Sequence, residues 1–456
     1  MPRFSLVLPL PLVFLVSLVS AQPELESWLI NTDGATGSTW INGNLVPSNV
    51  PCDVQLVQYS DDNVYITATG VPRYPTAPFN DGNPSVPENQ EYLFQIPRNP
   101  QPGPPSGTPT GLGHTGVLVN GVVIFNASDA FSYNNQDVWH QNAGFFELAG
   151  FDCAKGHPAM GAYHHHLVPT PFTNSLNAIS DICSNYPSVA LFTIDPSVHS
   201  PLIGYAFDGF PIYGPFGFDN ADGSGGIVRI KSSYAIRDIS TRQTLADGTA
   251  LNPNQWGPDV GELVTPAIPP GAAPVAADLG AYIEDFEFLT GSGHLDVHNG
   301  RFCVTPEYPG GTYAYFATVD ADWNPAFPYF FHSYYGEVVS ANFGNPGPGG
   351  GGGSTNVTIE EPVETYTGST SGLTATGRSH ICLRVYPNPV STGQTIVQLN
   401  ATSADLRLLN AFGVTLRSWS QVRNGSALSL SGLDPGVYFL QMIGDTPSQA
   451  VQLIVQ

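Results

Sequence analysis

The sequence predicts a mostly β protein with a large β-rich domain, a glycine-rich linker and a small C-terminal antiparallel β-sandwich. The 49 glycines and 42 prolines are about a fifth of the 456 residues, which interrupts the chain too often for long helices. Short apolar runs lie between these turn residues, as strands do. Hydrophobic residues form 41% of the chain, enough to bury substantial cores.

The charge of the chain argues against a nucleic-acid partner. It has 14 lysines and arginines against 37 aspartates and glutamates, a formal net charge of −23. A surface of this sign repels a phosphate backbone, so no nucleic acid is expected to bind.

Residues 1–21 are predicted to be a secretory signal peptide. Arg3 supplies a positive start, an apolar stretch runs from Leu6 to Val19, and Val19-Ser20-Ala21 is a small-residue cleavage site. Two prolines shorten the uninterrupted apolar run. This favours a cleaved signal over the alternative, a membrane anchor.

Export makes the five cysteines candidates for disulfide bonds, because oxidising compartments let such bonds persist. Cys153 and Cys183 bracket a histidine cluster, and a bond between them would clamp the segment that carries it. Cys52 and Cys303 are a second candidate pair, which leaves Cys382 unpaired at a domain junction. The alternative, a metal–thiolate site, is disfavoured because the sequence contains no CxxC spacing.

Residues 22–342 are predicted to form one large, aromatic and turn-rich β domain. Strand-like runs such as Val117-Leu118-Val119 and Tyr313-Ala314-Tyr315-Phe316 alternate with glycine and proline. A proline-rich passage between Pro97 and Pro109 interrupts the pattern, which resumes at Gly116. The alternative is a small separate N-terminal domain that ends near residue 100.

Residues 343–380 are predicted to be a flexible linker. Gly347-Pro348 leads into the run Gly349 to Gly353, and a stretch rich in serine, threonine and glutamate follows. Composition of this kind predicts a tether between two domains.

Residues 381–456 show alternating apolar patterns separated by turn residues, which predicts a small antiparallel sandwich. Three ordered motifs stand out: Val385-Tyr386-Pro387-Asn388-Pro389-Val390, Leu408-Leu409-Asn410-Ala411-Phe412-Gly413 and Leu430-Ser431-Gly432-Leu433-Asp434-Pro435-Gly436-Val437-Tyr438-Phe439-Leu440. They resemble the type A C-terminal sorting domain of the type IX secretion system. The segment departs from the usual pattern because no lysine lies near its end. The alternative is a carbohydrate-binding or adhesive sandwich.

This resemblance implies a route and partners. The signal peptide would carry the chain to the periplasm, and the type IX secretion machinery would carry it across the outer membrane. A processing enzyme commonly removes the sorting domain as the cargo is released or attached to the outer surface of the outer membrane. The protein is therefore expected to be secreted or bound to the cell surface.

The densest chemical signal is Gly156-His157-Pro158 followed by Tyr163-His164-His165-His166. Successive side chains of a strand alternate between faces, so His164 and His166 project together, with Cα atoms roughly 6.5 Å apart, while His165 points away. Neutral imidazoles bind zinc, copper, iron or nickel, and His157 is the nearest candidate for a further ligand. The alternative is that these histidines form hydrogen bonds within a polar core.

A second alternating segment is His294-Leu295-Asp296-Val297-His298. If it is extended, its polar residues share a face, so that His298 is a candidate ligand and Asp296 could fix the rings of other ligands. The alternative is a turn, because Asn299-Gly300 is a hairpin signal, with Asp296 paired to Arg301.

Several carboxylates could serve this site. Asp208 stands in an aromatic and glycine-rich run, where a carboxylate is costly to bury unless it is paired or binds an ion. It is a candidate ligand or base, or alternatively the cap of a tight turn. Glu147, Asp152 and His140 lie shortly before the histidine cluster and could add carboxylate or imidazole ligands. Glu147, Asp152 and Tyr163 are also candidates to support the ligands or to act as a base.

The ordered motifs of the large domain resemble the YHYH family, named for its Tyr-His-Tyr-His motif. The motifs are Gly116 to Val122, Trp139 to Glu147, Asp152 to His166, Gly204 to Pro215 and Asp296 to Phe316. His165 stands where the family name has tyrosine. The resemblance implies an exported domain and names no reaction.

Three classes of function remain open from the sequence. The first is an exported protein that binds a divalent transition metal, zinc or copper above others, through His164 and His166 with His157, Asp208 or His298. The second is a metal-dependent extracellular hydrolase with Asp152, Glu147 or Asp208 as base, although the chain has neither a GxSxG nor an HExxH motif. The third is a structural or adhesive module without metal. The acidic loop 219–225 is a candidate calcium site or, alternatively, a solvated turn.

Overall fold

The computed structural model describes most of the chain as two compact units, one that extends to Tyr366 and one that begins at Thr367. The described residues are 22–172, 182–266, 272–344, 354–367, 383–386, 390, 393–399, 403–410, 415–423, 426–443 and 450–455. The predicted signal peptide, the run of five glycines and Cys382 lie outside these residues.

The mostly β fold predicted from the sequence is confirmed, since strands hold 37% of the chain and helices 7%. The α-helices of the described residues are single turns: α1 (Pro23–Glu26), α2 (Ala143–Phe146) and α3 (Ile182–Asn185). Single 3₁₀ turns occur at Tyr133–Asn135, Leu148–Gly150, Pro253–Gln255, Ile283–Asp285 and Ser340–Asn342. None of the helices in the described part of the chain is long and apolar enough to span a bilayer.

The strands of the first unit are short. They are β1 (Thr36–Ile41), β2 (Asn44–Pro51), β3 (Val54–Tyr59), β4 (Asn63–Ala68), β5 (Tyr92–Pro97), β6 (Thr108–Pro109), β7 (His114–Leu118), β8 (Val123–Phe125), β9 (Ser128–Ser132), β10 (His140–Asn142), β11 (His157–Ala159), β12 (Ala162–His165), β13 (Leu202–Ala206), β14 (Pro211–Tyr213), β15 (Phe216–Phe218), β16 (Ile227–Arg229), β17 (Tyr234–Ile236), β18 (Leu263–Val264), β19 (Val275–Ala276), β20 (Phe286–Phe288), β21 (Gly300–Cys303), β22 (Thr312–Phe316), β23 (Ser333–Tyr334) and β24 (Glu364–Thr365).

An eight-stranded sheet forms the centre of the first unit, in the order β11-β12-β8-β7-β13-β14-β22-β21. The pairs β12–β8 and β14–β22 are parallel, and the other neighbours are antiparallel. Five of its strands, β7, β8, β12, β13 and β14, consist entirely of buried residues. Strands covered on both faces carry continuous apolar runs, which is the pattern seen at Val117-Leu118-Val119.

A four-stranded antiparallel sheet, in the order β24-β3-β4-β5, lies in the same unit. Every second residue of β5 is fully buried, namely Tyr92, Phe94 and Ile96. These side chains belong to the same hydrophobic core as Val117 and Val123 of the eight-stranded sheet.

The predicted flexible linker is wrong for residues 354–367, because this segment is hydrogen-bonded to the four-stranded sheet. Strand β24 extends the sheet beside β3, and the Tyr366 amide donates to the Val57 carbonyl. One oxygen of Glu361 accepts from Ser60 Oγ at 2.9 Å, Asn63 Nδ2 at 3.0 Å and Tyr65 OH at 2.6 Å. The polar residues that made the segment look like a tether supply these bonds.

The disulfide prediction is right for one pair and wrong for the other. Cys153 and Cys183 are bonded. Cys52 and Cys303 are buried free thiols. They cannot pair as placed because Cys52 lies just before β3, with its thiol directed at the Ala35 carbonyl and at Asp53, whereas Cys303 ends β21 in the eight-stranded sheet.

The second unit has two antiparallel sheets. Its strands are β25 (Leu383–Tyr386), β26 (Gln394–Leu399), β27 (Ser403–Asn410), β28 (Thr415–Arg423), β29 (Ala427–Ser429), β30 (Gly436–Ile443) and β31 (Ala450–Val455). The sheets have the orders β25-β26-β29 and β28-β27-β30-β31. One separate core takes Val397 from the first sheet and Leu406, Leu408, Leu440 and Leu453 from the second. Alternate burial along β27 explains the alternating pattern in the sequence.

Candidate metal centre

A tight hairpin at the end of the eight-stranded sheet sets the register of the histidines. Strands β11 and β12 are joined by Met160 and Gly161, whose φ angles are +49° and +86°. Two successive residues of positive φ form the two-residue turn that matches the twist of antiparallel strands. The resulting register places His157 directly opposite His164, so both rings lie on one face of the hairpin.

Hydrogen-bond partners show which ring nitrogen of His164 and of His166 carries the proton. His164 Nδ1 donates to the Ala162 carbonyl at 2.9 Å, and His166 Nδ1 donates to the Asn126 carbonyl at 2.6 Å. Carbonyl oxygens only accept, so each Nδ1 carries the proton and each Nε2 of the neutral ring carries a lone pair. The two Nε2 atoms lie 3.2 Å apart.

Glu147, from the short segment between α2 and the next 3₁₀ turn, lies beside two of the histidines. Its Oε2 lies 3.2 Å from His166 Nε2 and 3.4 Å from His157 Nε2. Ligand atoms of His157, His164 and His166 all lie within 4.8 Å of one another. Tetrahedral zinc with bonds of about 2.0–2.1 Å has ligand–ligand edges of about 3.3–3.4 Å, close to the one nitrogen–nitrogen and the two nitrogen–oxygen distances given above.

Aromatic rings enclose the cluster. Phe125 stacks on His164 with ring centroids 3.9 Å apart, and Phe151 meets His157 edge-on at 4.7 Å. The three imidazoles are buried, while 21% of the Glu147 side chain is exposed.

Burial changes the protonation of every member of the cluster. Desolvation lowers the pKa of His157 and of His164 well below the usual value, with the neighbouring histidines adding to the effect. It lowers the pKa of His166 to about 4. These rings are therefore neutral near pH 7, which is the form that binds metals. Desolvation, followed by the charges of Asp129 and Asp81, raises the pKa of Glu147 well above its usual range. An ionised Glu147 thus requires a positive charge beside it.

Tyr163, Asp152 and His165 lie in a different network, on the other face of β12. Tyr163 OH donates to both oxygens of Asp152, at 3.0 and 2.8 Å. His165 Nδ1 donates to the Lys155 carbonyl, and its Nε2 accepts from Tyr74 OH at 2.7 Å. His165 points away from the cluster because side chains of a strand alternate between faces.

The expectation that Asp152 or Tyr163 acts as a base at the cluster is wrong for this arrangement. Asp152 also accepts from the amides of Ala77 and Gly156, and it is fully buried. Burial raises its pKa to about 7, against the effect of these hydrogen bonds. By holding the Gly156 amide, Asp152 fixes the chain just before His157, which is a positioning role.

Asp208 does not join the histidines, and its expected role as a ligand is corrected. Its Oδ2 accepts from Tyr315 OH at 2.5 Å and from the Gly336 amide at 2.9 Å, and its Oδ1 accepts from the Phe210 amide. Burial raises its pKa to about 6. The alternative of a turn cap is the one that its bond to Phe210 supports.

His298 and Asp296 are also placed elsewhere, so their expected roles as ligand and supporting residue are corrected. The segment around them is a turn in which the Asn299 amide donates to the Asp296 carbonyl. His298 Nδ1 pairs with Ser333 Oγ at 2.6 Å, and Asp296 accepts from Tyr313 OH. The expected pair between Asp296 and Arg301 is replaced, because Arg301 donates to backbone carbonyls of Phe218 and Asp219.

The acidic loop 219–225 is a hydrogen-bonded turn. Asp222 Oδ1 accepts from the amide and the hydroxyl of Ser224, and Asn220 Nδ2 donates to the same hydroxyl. Calcium binding there stays a prediction.

Two supports of the cluster were missed in the sequence. Asn126 holds His166 through its backbone carbonyl. Because every residue has such a carbonyl, the identity of the side chain at position 126 could not have predicted this bond. The turn at Met160-Gly161 could have been found, because glycine tolerates positive φ in a two-residue hairpin loop. Finding it would have paired His157 with His164 at once.

Comparison with known proteins assigns this arrangement to a class. The chain has a β-rich domain that contains a buried histidine cluster, and a small β module follows it in the sequence. This defines the class: a β domain with an appended C-terminal module. The chain belongs to the YHYH protein family, whose model matches residues 93–328. Residues 384–456 match the secretion system C-terminal sorting domain of type IX secretion. This domain indicates export, with secretion or attachment to the cell surface.

Other comparisons add little. No curated protein matches the chain. Among solved structures, the chain is similar to PorZ of Porphyromonas gingivalis, titled an essential bacterial surface component of the type-IX secretion system, with 12% identity and a TM-score of 0.16. The match covers 89% of this chain and 51% of that one, so the chain spans about half the length of PorZ. A likeness this low does not define the fold.

Proposed function

We propose that this exported YHYH-family protein holds one divalent transition-metal ion, zinc or copper, through His157, His164, His166 and Glu147. The observation that carries the proposal is the 3.2 Å distance between His164 Nε2 and His166 Nε2. Both atoms are lone-pair donors in the neutral rings, and two such atoms repel one another unless a cation or a proton lies between them.

The donor set favours a transition metal over calcium or magnesium. Imidazole nitrogens suit zinc and copper, whereas hard cations prefer oxygen ligands. The second ring nitrogens of His164 and His166 donate to backbone carbonyls, as ligand histidines usually do. Glu147 supplies the negative charge that offsets part of the charge of the ion.

A retained ion fits this site better than a catalytic one. Three histidines and a carboxylate fill four positions, whereas a catalytic zinc keeps one position open for water. Two cavities in the described part of the chain are lined by residues other than these four. The metal-dependent hydrolase therefore gains no support from the geometry. The module without metal would need a proton between two rings whose pKa values burial lowers.

The partners proposed from the sorting domain are the type IX secretion machinery, which would read residues 384–456, and its processing enzyme. In a host that has this system, a chain without these residues should remain in the periplasm and not cross the outer membrane. Export of the deleted chain at the normal level would contradict this part of the proposal.

The metal proposal is tested by elemental analysis of protein purified without a nickel column and dialysed against metal-free buffer. We expect about one equivalent of zinc or copper in the natural chain and none in the double variant His164→Ala, His166→Ala. The variant His165→Gln is the matched control, because His165 lies on the same strand and faces away. A natural chain that takes up neither ion when offered each in excess overturns the proposal.

A further inference from the structure

An open cavity of about 500 Å³ lies in the first unit, apart from the histidine cluster. Its volume is in the range of small-molecule sites. Residues from β16, β17 and β20 and from the loop 319–329 line it, among them Arg229, Lys231, Tyr234, Phe286 and Phe327. Neither the metal proposal nor any motif of the sequence accounts for it.

The cavity concentrates positive charge in a protein that has little. The chain contains two lysines, Lys155 and Lys231. Lys155 is buried, whereas Lys231 is exposed and lines the cavity. Among the ion pairs of the described residues, none includes Lys231. Arg229, beside it, donates from Nη1 to the Val319 carbonyl at 2.7 Å.

The acidic residue of the cavity is Asp320, and none of the ion pairs of the described residues joins it to these cations. Asp320 Oδ1 accepts from the amides of Asp322 and Asn324, and its Oδ2 accepts from Asn324 Nδ2. Its carboxylate is thus held inside its own turn and not paired with Lys231. Its negative charge offsets part of the charge of Arg229 and Lys231, and the lining keeps an excess of positive charge.

Aromatic rings form an apolar wall next to the cations. Phe286 and Phe327 are stacked with centroids 4.1 Å apart and planes 9° from parallel, and Tyr234 meets Phe327 edge-on at 5.3 Å. Rings fixed in this way offer a rigid apolar surface at little cost in conformational entropy.

We propose that this cavity binds a small, singly charged carboxylate that carries a ring. The lysine and the arginine supply the charge-assisted donors that a carboxylate needs, and the aromatic wall contacts the ring. The net charge of −23 repels polyanions over a long range, so a compact monoanion is favoured over a polymer of acidic units. Sugar acids and aromatic acids share this chemistry.

The test is calorimetric titration of the full chain with two acids and their neutral counterparts: glucuronate against glucose, and phenylacetate against phenylacetamide. At least one acid should bind about tenfold or more tightly than its counterpart, as expected when a hydrogen bond to a charged group is lost. Binding of glucuronate would identify the ligand class as sugar acids, and binding of phenylacetate would identify it as aromatic acids. If neither binds, or if an acid binds no better than its neutral counterpart, the proposal is overturned.

Variants locate the binding. Lys231→Gln should weaken the affinity about tenfold or more. Arg423→Gln, which removes one positive charge from an exposed residue outside the cavity lining, should leave it unchanged. Equal affinities of the two variants would place the binding elsewhere. Because Lys231 is the exposed lysine, acetylation with an amine-reactive ester gives a second readout: a bound acid should protect Lys231 in the natural chain. These results do not depend on whether the histidine cluster holds a metal.

Discussion

His164 and His166 direct their Nε2 atoms at one another across 3.2 Å, while each Nδ1 donates to a backbone carbonyl. The hairpin and the neighbouring strand β8 hold the two rings in this arrangement, since the Asn126 carbonyl follows β8 directly. The protein thus places two lone pairs together inside a buried, aromatic environment. Such an arrangement is stable when a cation occupies the space between the donors.

The first prediction concerns removal of the ion. A chelator should lower the melting temperature of the natural chain, because a ligand present at a thousand times its Kd stabilises a fold by about 4 kcal/mol. The variant His164→Ala, His166→Ala should melt at the same temperature with and without the chelator. Differential scanning calorimetry measures both. A natural chain whose melting is indifferent to the chelator would argue against an ion in the cluster.

The second prediction concerns Glu147. The change Glu147→Gln keeps the size of the side chain and removes its charge, so the affinity for zinc should fall at least about tenfold, the lower limit for losing even an outer-shell partner. Competition with a zinc-binding dye measures the affinity. Glu337→Gln is the control, since Glu337 is exposed and lies outside the cluster. Equal affinities of the two variants would remove Glu147 from the site.

The third prediction concerns the Cys153–Cys183 disulfide, which closes a segment of 30 residues around the hairpin. Replacing both cysteines by serine should lower the free energy of unfolding by about 3–4 kcal/mol in the chain-entropy model. The affinity for zinc should fall as well, because the closed segment carries His157, His164 and His166. Denaturant unfolding and the same dye competition measure the two effects. Cys303→Ala removes an unbridged thiol and should leave the zinc affinity unchanged.

How much of the site the sequence could predict depends on the range of the interactions. Strand alternation alone predicts that His164 and His166 share a face and that His165 does not. Tertiary packing of the segment after α2 places Glu147 beside His157 and His166, and no local sequence pattern predicts this packing. Asp208 and His298 show the converse: they have ligand chemistry and suggestive neighbours, but their partners Tyr315 and Ser333 come from distant parts of the chain.

The fold shows the same division. The high content of glycine and proline and the apolar runs predict the mostly β class, and ordered motifs indicate both the YHYH family and the sorting domain. The order of the eight-stranded sheet, with β14 beside β22, depends on contacts a hundred residues apart. Composition was misleading at 354–367, because serine, threonine and glutamate serve equally well in a tether and in a strand that binds a sheet edge through polar groups.

The fourth prediction concerns this segment. A chain that ends at residue 353 should melt at a lower temperature than one that ends at 366, because it loses β24, the bond from Tyr366 to Val57 and the contacts of Glu361. In the longer chain, Glu361→Gln should lower the melting temperature by a smaller amount, because the amide replaces a charged acceptor of three hydrogen bonds. Equal melting temperatures of the two truncated chains would show that the segment contributes nothing to stability.

The last prediction concerns His140, which lies between two carboxylates. Its Nδ1 is 2.6 Å from Glu284 Oε1 and its Nε2 is 3.1 Å from Asp137 Oδ1. The hydrogen bond to Glu284 raises the pKa of His140 to about 9, because its effect is larger than that of burial, which lowers the pKa. In the unfolded chain a histidine titrates near 6.5.

Because the folded pKa is the higher one, the folded state binds the proton more tightly. The stabilisation from His140 is therefore complete below about pH 6.5 and is lost as the pH rises through about 9. The natural chain should exceed His140→Gln in free energy of unfolding at pH 6, and the difference should shrink by pH 9.5. Since a third of the side chain is exposed, salt should reduce the difference at pH 6. Urea unfolding at both pH values measures it, and a difference that stays constant with pH would mean that the pKa of His140 is not raised in the folded protein.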